Sequence, residues 1–285
     1  MEDGEVVTVG KSGNPARRAE QVKPVNSASK GEVMVCWCDN GTVDGKFMEG
    51  VVYSILTSDV PISGAQRVQG NQIGRQREAA LEMWYENSDK EWLLWIDSDI
   101  CITNQVLELV WNSADPVERP VVSGTYFISK QMEQSIMQPF PALFLAHEDK
   151  YTMSYVHPLP TEPQLIKVDY AGFGFLLMHR SAIDKMKAFH KDKPFFLETM
   201  DSVNKETFIG EDIQFFMRMK EAGVPLYAHT GALVRHIKRF SFDYDFYRLY
   251  WATIGAAELE ARMKLIQEEE AKAQASAPSD TASSD

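Results

Sequence analysis

The feature that most constrains this chain is a short apolar stretch ending in two acids, at residues 91–100 with the sequence EWLLWIDSDI. Residues 92–96 are all apolar, a run whose length and composition are typical of a strand buried on both faces of a parallel sheet. Asp97 and Asp99 follow this run, at the position where open α/β sheets form their ligand sites. The stretch therefore predicts a central strand whose end carries two carboxylates.

Two interpretations of Asp97-Ser98-Asp99 are open at this point. If strand geometry persists through Ser98, the two-residue period points both carboxylates to the same side. Such a pair suits Mg²⁺ or Mn²⁺, which take hard oxygen ligands from one or two carboxylates and from substrate phosphates. Asp and Ser are also ordinary turn residues, so a solvated turn explains the same three residues.

Composition indicates a globular protein and disfavours broad nucleic-acid binding. The 285 residues are 44% hydrophobic and include 15 Phe, 10 Tyr and 6 Trp, which is enough apolar surface for a sizeable core. The net charge is −12, whereas broad nucleic-acid binding relies on a surface rich in Lys and Arg. A small phosphate-bearing ligand stays compatible, because one metal ion reverses the local field.

Cysteine usage and hydropathy favour a reducing cytosol. Cys36, Cys38 and Cys101 form neither a disulfide framework nor a zinc-binding spacing. We find no apolar leader and no uninterrupted apolar run of 18 residues, so the sequence predicts neither secretion nor a membrane span. The expected location is cytoplasmic, or the host cytoplasm for a bacteriophage protein.

The first half of the chain predicts the opening of a nucleotide-binding α/β unit. Residues 1–30 are polar and aperiodic, which predicts an N-terminal arm without fixed structure. Residues 32–38 predict a strand, 46–56 a helix, 60–68 a second strand and 71–85 a second helix. A strand, a polar turn and a helix begin such units, although the dinucleotide fingerprint G-x-G-x-x-G is absent from the sequence.

The second predicted helix carries two arginines, Arg75 and Arg77. An arginine beside a nucleotide-binding strand can hold a diphosphate or a base. A solvated basic helix face explains either residue equally well.

Further elements alternate along the second half. A helix capped by Thr103 or Asn104 precedes a strand at 120–124, and apolar runs at 165–170 and 173–178 predict two more strands. Two last strands are predicted at 225–227 and 232–234. Residues 131–163 are irregular and rich in proline, so we expect this segment to recognise the acceptor.

A second acidic site is expected at Glu211-Asp212, in the first turn of a helix that stops at Gly223. The helix dipole favours the ionised carboxylate there, and such a group can act as a general base. Acids in a first helical turn also occur for stability alone. His236 follows the last predicted strand and is a candidate metal ligand, base or packed polar residue.

Together, four motifs resemble glycosyltransferases of the A-type fold (GT-A), most closely the family-2-like enzymes common in bacteria and bacteriophages. The motifs are Asp97-Ser98-Asp99, the glycine-rich segment 171–179, Gly210-Glu211-Asp212 and Val234-Arg235-His236. Their order and spacing across about residues 31–240 make the resemblance more specific than any single motif. It implies an α/β fold, Rossmann-like, with a mostly parallel sheet and helices on both faces, in a single domain at 31–255.

The resemblance also implies roles for individual residues. Asp97, Asp99 and His236 would hold Mn²⁺ or Mg²⁺ on the diphosphate of a nucleotide-sugar. Asp212, with Glu211 as its substitute, would deprotonate the acceptor hydroxyl of a protein or glycan if the enzyme inverts. The other residues implied to contact the nucleotide-sugar are Cys38, Asp39, Asn40, Arg75, Arg77, Ser98 and Gly172.

The C-terminal part predicts an extension at 256–285. An aromatic segment at 240–251 is expected to pack on the domain, with sugar stacking or a partner surface as the alternative. Residues 256–267 place Leu259, Met263 and Ile266 on one helical stripe, through which two copies could form a homo-oligomer. From Glu268 the composition predicts a disordered tail.

Two other functions use the same residues. A metal-dependent nucleotidyltransferase or phosphohydrolase could direct the acids at phosphate, and a non-catalytic module could bind a nucleotide-sugar or glycan without turnover.

Overall fold

A computed structural model describes residues 30–130, 138–147, 153–191, 194–200, 208–238, 244–255, 257 and 260–268. Three predicted segments lie outside the described residues: the arm apart from Lys30, residues 240–243 of the aromatic segment, and the tail from residue 269.

Sixteen strands and six α-helices are assigned within these residues. The strands are β1 (Val33–Asp39), β2 (Ile62–Gln69), β3 (Trp92–Ile96), β4 (Ile100–Cys101), β5 (Val121–Thr125), β6 (Phe127–Lys130), β7 (Gln138–Pro141), β8 (Leu143–Ala146), β9 (Met153–Tyr155), β10 (Leu165–Val168), β11 (Tyr170–Ala171), β12 (Phe175–His179), β13 (Thr199–Met200), β14 (Phe208–Ile209), β15 (Leu226–Leu233) and β16 (Arg235–His236). The helices are α1 (Gly45–Thr57), α2 (Ile73–Asn87), α3 (Asn104–Ser113), α4 (Arg180–His190), α5 (Glu211–Glu221) and α6 (Tyr244–Tyr250), followed by a π-helical turn at Trp251–Gly255 and further helical residues at 260–268.

The central sheet has seven strands in the order β10-β15-β5-β12-β3-β1-β2. Strands β1, β2, β3, β5 and β15 run in one direction, whereas β10 and β12 pair antiparallel to their neighbours. Five of the seven strands are therefore parallel. The predicted α/β fold with a mostly parallel sheet is confirmed.

A hydrophobic core lies on each face of this sheet. One core joins residues of α1 and α3 to the sheet, and the other joins residues of α2, α4 and α5. The side chains of β3 alternate between the two: Trp92, Leu94 and Ile96 belong to the first core, and Leu93 and Trp95 to the second. The prediction of helices on both faces is confirmed, and β3 is buried along its whole length.

The sequence prediction of two separate last strands is wrong, because residues 226–233 form the single strand β15. The polar residues in its middle find partners in the chain just before β10. Thr230 donates its N–H to the carbonyl of Gln164 at 2.9 Å, and its Oγ1 accepts the N–H of Gln164 at 2.9 Å. With these groups satisfied, the strand continues through residues whose composition is typical of a turn.

The chain divides into two compact units. The first comprises Met1–Ser129 and Pro139–Lys238, and the second Lys130–Gln138 and Arg239–Asp285. In the second unit, Met263, Leu265 and Ile266 of the helical residues 260–268 are all exposed. The domain limits and the oligomerising role of this helix stay predictions.

Among the described residues, every helix is too short or too polar to cross a lipid bilayer.

Candidate active site at the carboxyl edge of the sheet

The carboxyl edge of the parallel strands carries most of the predicted site residues. Asp39 ends β1, Asp97 follows β3, and His236 lies two residues beyond Val234, after the end of β15. Strand β12 runs the opposite way, and its first residue pairs with the last residue of β3, so Gly172 lies at this edge as well. Open α/β sheets bind ligands outside this edge.

The acids after β3 form a turn, not a continuation of the strand. The N–H of Ile100 donates to the carbonyl of Asp97 at 2.9 Å, with the half-buried Ser98 inside the turn. The N–H of Asp97 donates to the carbonyl of Gly174 at 3.0 Å, which fixes the start of the turn to the segment before β12. Of the two interpretations that the sequence left open, the structure therefore has the turn, and Asp97 and Asp99 engage different partners.

Asp97 is held by Arg77, a buried residue of α2. The Nη2 atom of Arg77 lies 2.9 Å from Oδ1 and 3.1 Å from Oδ2 of Asp97, and its Nη1 lies 2.6 Å from Oε1 of Glu211. Although burial opposes the charged form, the carboxylates of Asp97 and Glu211 raise the pKa of Arg77. One guanidinium thus joins the acid after β3 to the acid that begins α5.

The other predicted arginine, Arg75, is exposed. Between the two, the buried Gln76 donates its Nε2 to the carbonyls of Asp39 at 2.8 Å and Val68 at 2.9 Å. Through these two hydrogen bonds, Gln76 connects α2 to the ends of β1 and β2. Of the two arginines, only Arg75 presents its side chain to solvent.

Asp99 faces the imidazole of His236. The Nδ1 atom of His236 lies 2.8 Å from the carbonyl oxygen of Phe127, which can only accept, so Nδ1 carries a hydrogen. The Nε2 atom lies 3.2 Å from Oδ2 of Asp99. A cation bound by both groups would satisfy this nitrogen and the carboxylate together.

Lys238 supplies a positive charge at the same carboxylate, with Nζ 2.8 Å from Oδ2 of Asp99. Burial opposes ionisation of Asp99, but hydrogen bonds from His236 and Lys238 outweigh it and lower the pKa of Asp99 to about 2. Lys238 was not among the residues expected from the sequence. Its position two residues after His236 is the only sequence signal for it.

The donor chemistry of Asp99 and His236 fits a divalent cation. Two adjacent ligands of an octahedral ion at about 2.1 Å lie about 3 Å apart, close to the separation of these two groups. A ring nitrogen that donates to a backbone carbonyl, as Nδ1 does to Phe127, is the usual support of a metal-binding histidine. Within the described residues, however, no group of three or more His, Cys, Asp or Glu side chains is arranged around one ion, and Asp97 instead engages Arg77.

Glu211 and Asp212 begin α5 after Gly210, as the sequence predicts. Burial raises the pKa of both carboxyl groups, and the positive charge of Arg77 opposes the rise. Oδ1 of Asp212 accepts the N–H of Ile213 at 2.7 Å. The two acids therefore differ: Glu211 is committed to an ion pair, while Asp212 is held by the helix backbone.

Tyr126, directly after β5, is a site residue that sequence reasoning missed. Its Oη accepts the N–H of Gly174 at 3.3 Å, and its ring packs edge-on against His236 with centroids 5.1 Å apart. A Cβ atom at Gly172 would lie 1.8 Å from Oη. Gly172 is thus glycine because Tyr126 fills the adjacent space, and the position of Tyr126 directly after a parallel strand is the signal that could have found it.

The carboxyl end of β1 contributes Cys38 and Asp39, and the loop after it contributes Asn40. Asp39 accepts two hydrogen bonds from Arg67, at 2.6 and 2.7 Å, which hold the pKa of its carboxyl below the usual range. A hydrogen bond with the Cys36 thiol lowers the pKa of Cys38, which is buried. Asn40 is exposed, so of these three residues it presents the most accessible side chain to a ligand.

Comparison with known proteins adds no family assignment. No family model and no curated protein matches the chain. Solved structures that it resembles include A197 from STIV, with a TM-score of 0.45, 20% identity and coverage of 73% of this chain and 86% of that one. Another is GalNAc-T7 with UDP, GalNAc and Mn²⁺, with a TM-score of 0.46, 10% identity and coverage of 75% of this chain and 45% of that one.

The fit between Gly172 and Tyr126 predicts that alanine destabilises the protein at position 172 but not at the uncrowded position 45. Gly172→Ala should lower the free energy of unfolding by about 1–3 kcal/mol, because the new methyl group overlaps Oη of Tyr126. Gly45→Ala is the matched control, since a Cβ at Gly45 meets nothing within 4 Å. Denaturant unfolding of both variants measures the difference.

Making Gly172→Ala in a Tyr126→Phe background measures how much of the destabilisation comes from the Tyr126 hydroxyl. The cost of Gly172→Ala should shrink there, because the shortest contact is with the oxygen atom. An equal cost in both backgrounds would contradict the assigned fit.

Proposed function

We propose that this chain is a metal-dependent glycosyltransferase that moves a sugar from a nucleotide-sugar to a hydroxyl group of a protein or glycan. The observation that carries the proposal is the meeting of the acidic motifs at one sheet edge: Asp97 and Glu211 share the Arg77 guanidinium, and Asp99 contacts His236. The residues in these contacts come from four separate stretches of sequence. The GT-A resemblance of the sequence assigns the same residues to one active site.

In the proposed enzyme, Asp99 and His236 would hold Mn²⁺ or Mg²⁺, while Asp97, to which the resemblance assigns the same role, is engaged by Arg77. When bound, such an ion stabilises the negative charge on the leaving nucleoside diphosphate as a Lewis acid. Asn40 and Arg75, both exposed, and the half-buried Ser98 are the proposed contacts of the nucleotide, whereas Cys38 and Asp39 are buried. Arg77 is too deeply buried and too fully paired for the direct phosphate contact that the resemblance implies for it.

Asp212 is the proposed general base if the enzyme inverts the anomeric carbon. Its carboxylate would accept the proton of the acceptor hydroxyl as the new glycosidic bond forms and the bond to the diphosphate breaks. Glu211 is a poorer candidate, because its Oε1 already accepts a hydrogen bond from Arg77 at 2.6 Å.

A non-catalytic nucleotide-sugar-binding module is the second candidate. The observation that favours it is the contact of Lys238 with Asp99, because a lysine ammonium can neutralise this carboxylate without a metal. Such a module would bind a nucleotide-sugar in the presence of a chelator and would leave it intact.

A panel of nucleotide-sugars, incubated with the full chain and Mn²⁺ or Mg²⁺, tests the proposal through release of nucleoside diphosphate. Asp212→Asn should reduce the rate by about 10²–10⁴-fold, because it removes the group that accepts the proton. Asp169→Asn is the matched control: Asp169 pairs with Lys220 near the other end of α5, and its loss should leave the rate unchanged.

Excess chelator should abolish release in the wild-type protein. Binding without release would support the second candidate, and release of nucleoside monophosphate or pyrophosphate would indicate a phosphohydrolase or nucleotidyltransferase instead.

The proposed base also predicts the pH dependence. Burial raises the pKa of Asp212 above its ordinary value, and a general base works only when it is ionised. The rate should therefore fall as the pH is lowered through this raised pKa, with a midpoint above the value of about 3.9 for an unperturbed aspartate. A kcat/KM profile that stays flat down to pH 4 would exclude Asp212 as the base.

A further inference from the structure

We propose that Arg77 is a positioning residue that fixes Asp97 and Glu211 to one another, so that the two acidic motifs act as one unit. The inference rests on the proposed function and deepens it. It assigns Arg77 to the protein's own carboxylates, in place of the contact with the nucleotide-sugar that the resemblance implies.

The hydrogen bonds of Arg77 use both ends of its guanidinium. Nη1 donates to Oε1 of Glu211 at 2.6 Å, and Nη2 donates to both carboxylate oxygens of Asp97, at 2.9 and 3.1 Å. The Cζ atom also lies 5.0 Å from the ring centroid of Phe173, which covers the guanidinium. Only 6% of the side chain is exposed, so a diphosphate has little access to it.

The two acids come from elements that have no local connection. Asp97 lies 20 residues after Arg77 in sequence, and Glu211 lies 134 residues after it. The N-terminus of α2 also touches the N-terminus of α5 directly, since a Cβ at Gly74 would meet the Cβ of Glu211 at 3.4 Å. Arg77 therefore connects the turn after β3 to the first turn of α5, which carries Asp212.

A guanidinium suits this connection better than an ammonium would. Its planar fork offers donors at fixed angles, so it orients two carboxylates at once, whereas lysine provides a flexible point charge. A positive charge at position 77 without this geometry would only offset the repulsion among Asp97, Glu211 and Asp212. The geometry of the contacts indicates that Arg77 also fixes the direction of each carboxylate.

The nearby Arg75 provides a matched comparison, because it lies on the same helix and is exposed. If Arg75 contacts the donor, Arg75→Gln should raise the KM for the nucleotide-sugar and change kcat little. Arg77→Gln should do the reverse: kcat should fall by about 10²-fold, the loss expected from a misplaced catalytic group, while KM stays within about threefold.

The experiment compares Arg77→Gln, Arg77→Lys, Glu211→Gln and the double variant Arg77→Gln/Glu211→Gln with the wild type, using the donor found in the nucleotide-sugar panel. Arg77→Lys should restore little of the lost kcat, because it keeps the charge and loses the fork. The double variant should be no slower than the slower single variant. A loss confined to KM, full rescue by lysine, or kcat losses that multiply in the double variant would overturn the proposal.

The melting temperatures of the same variants measure the coupling without any turnover. The drop in Tm of the double variant should be smaller than the sum of the two single drops, and additive drops would overturn the proposal.

If Arg77→Gln does not fold, the Glu211→Gln variant provides the test: its kcat should fall like that of Arg77→Lys, and a wild-type kcat would overturn the proposal. A wild-type protein that releases no nucleoside diphosphate would count against the proposed function, whereas an active wild type with an equally active Arg77→Gln would count against the positioning role alone.

Discussion

Strand β3 has no side that faces solvent, and this constraint determines where the polar residues of the site can lie. Its side chains alternate between the core beneath α1 and α3 and the core beneath α2, α4 and α5. Charged groups can therefore occur only where the strand ends. The same edge of the sheet holds the carboxyl ends of β1, β5 and β15 and the start of β12. Acids from distant parts of the sequence therefore meet at this edge.

Collecting acids at one edge creates an electrostatic cost that the protein offsets in two places. Arg77 pairs with Asp97 and Glu211 on the α2 and α5 side, and on the β15 side His236 and Lys238 face Asp99. The two arrangements differ in access: Arg77 is buried, while Lys238 is exposed. A cation from solution could replace the lysine at Asp99, but no ligand in solution can readily replace the arginine. This difference supports the proposal of a metal at Asp99 and His236, with Arg77 as part of the framework.

The sequence predicted the elements better than the contacts between them. The run at residues 92–96 and the helical spacing in α1, α3 and α5 are local patterns, and each was assigned correctly. The ion pair of Arg77 with Glu211 could not be foreseen, because it joins residues far apart in sequence through the packing of two helix ends. Tyr126 was missed for a related reason: its role depends on the space left by Gly172 and Gly174, which no local pattern reports. The sequence left strand and turn both open at Asp97–Asp99, because Asp and Ser suit a turn as well as the polar end of a strand.

A crystal structure of the full chain with Mn²⁺ and a nucleoside diphosphate would test the proposed metal site directly, with the ion located by its anomalous signal. We expect an ion bonded to Asp99 and His236, with Lys238 displaced from Asp99, the diphosphate on the ion and the contacts of Arg77 with Asp97 and Glu211 retained. A structure in which Lys238 keeps its contact with Asp99, and in which neither ion nor diphosphate binds at this edge of the sheet, would contradict the proposed site.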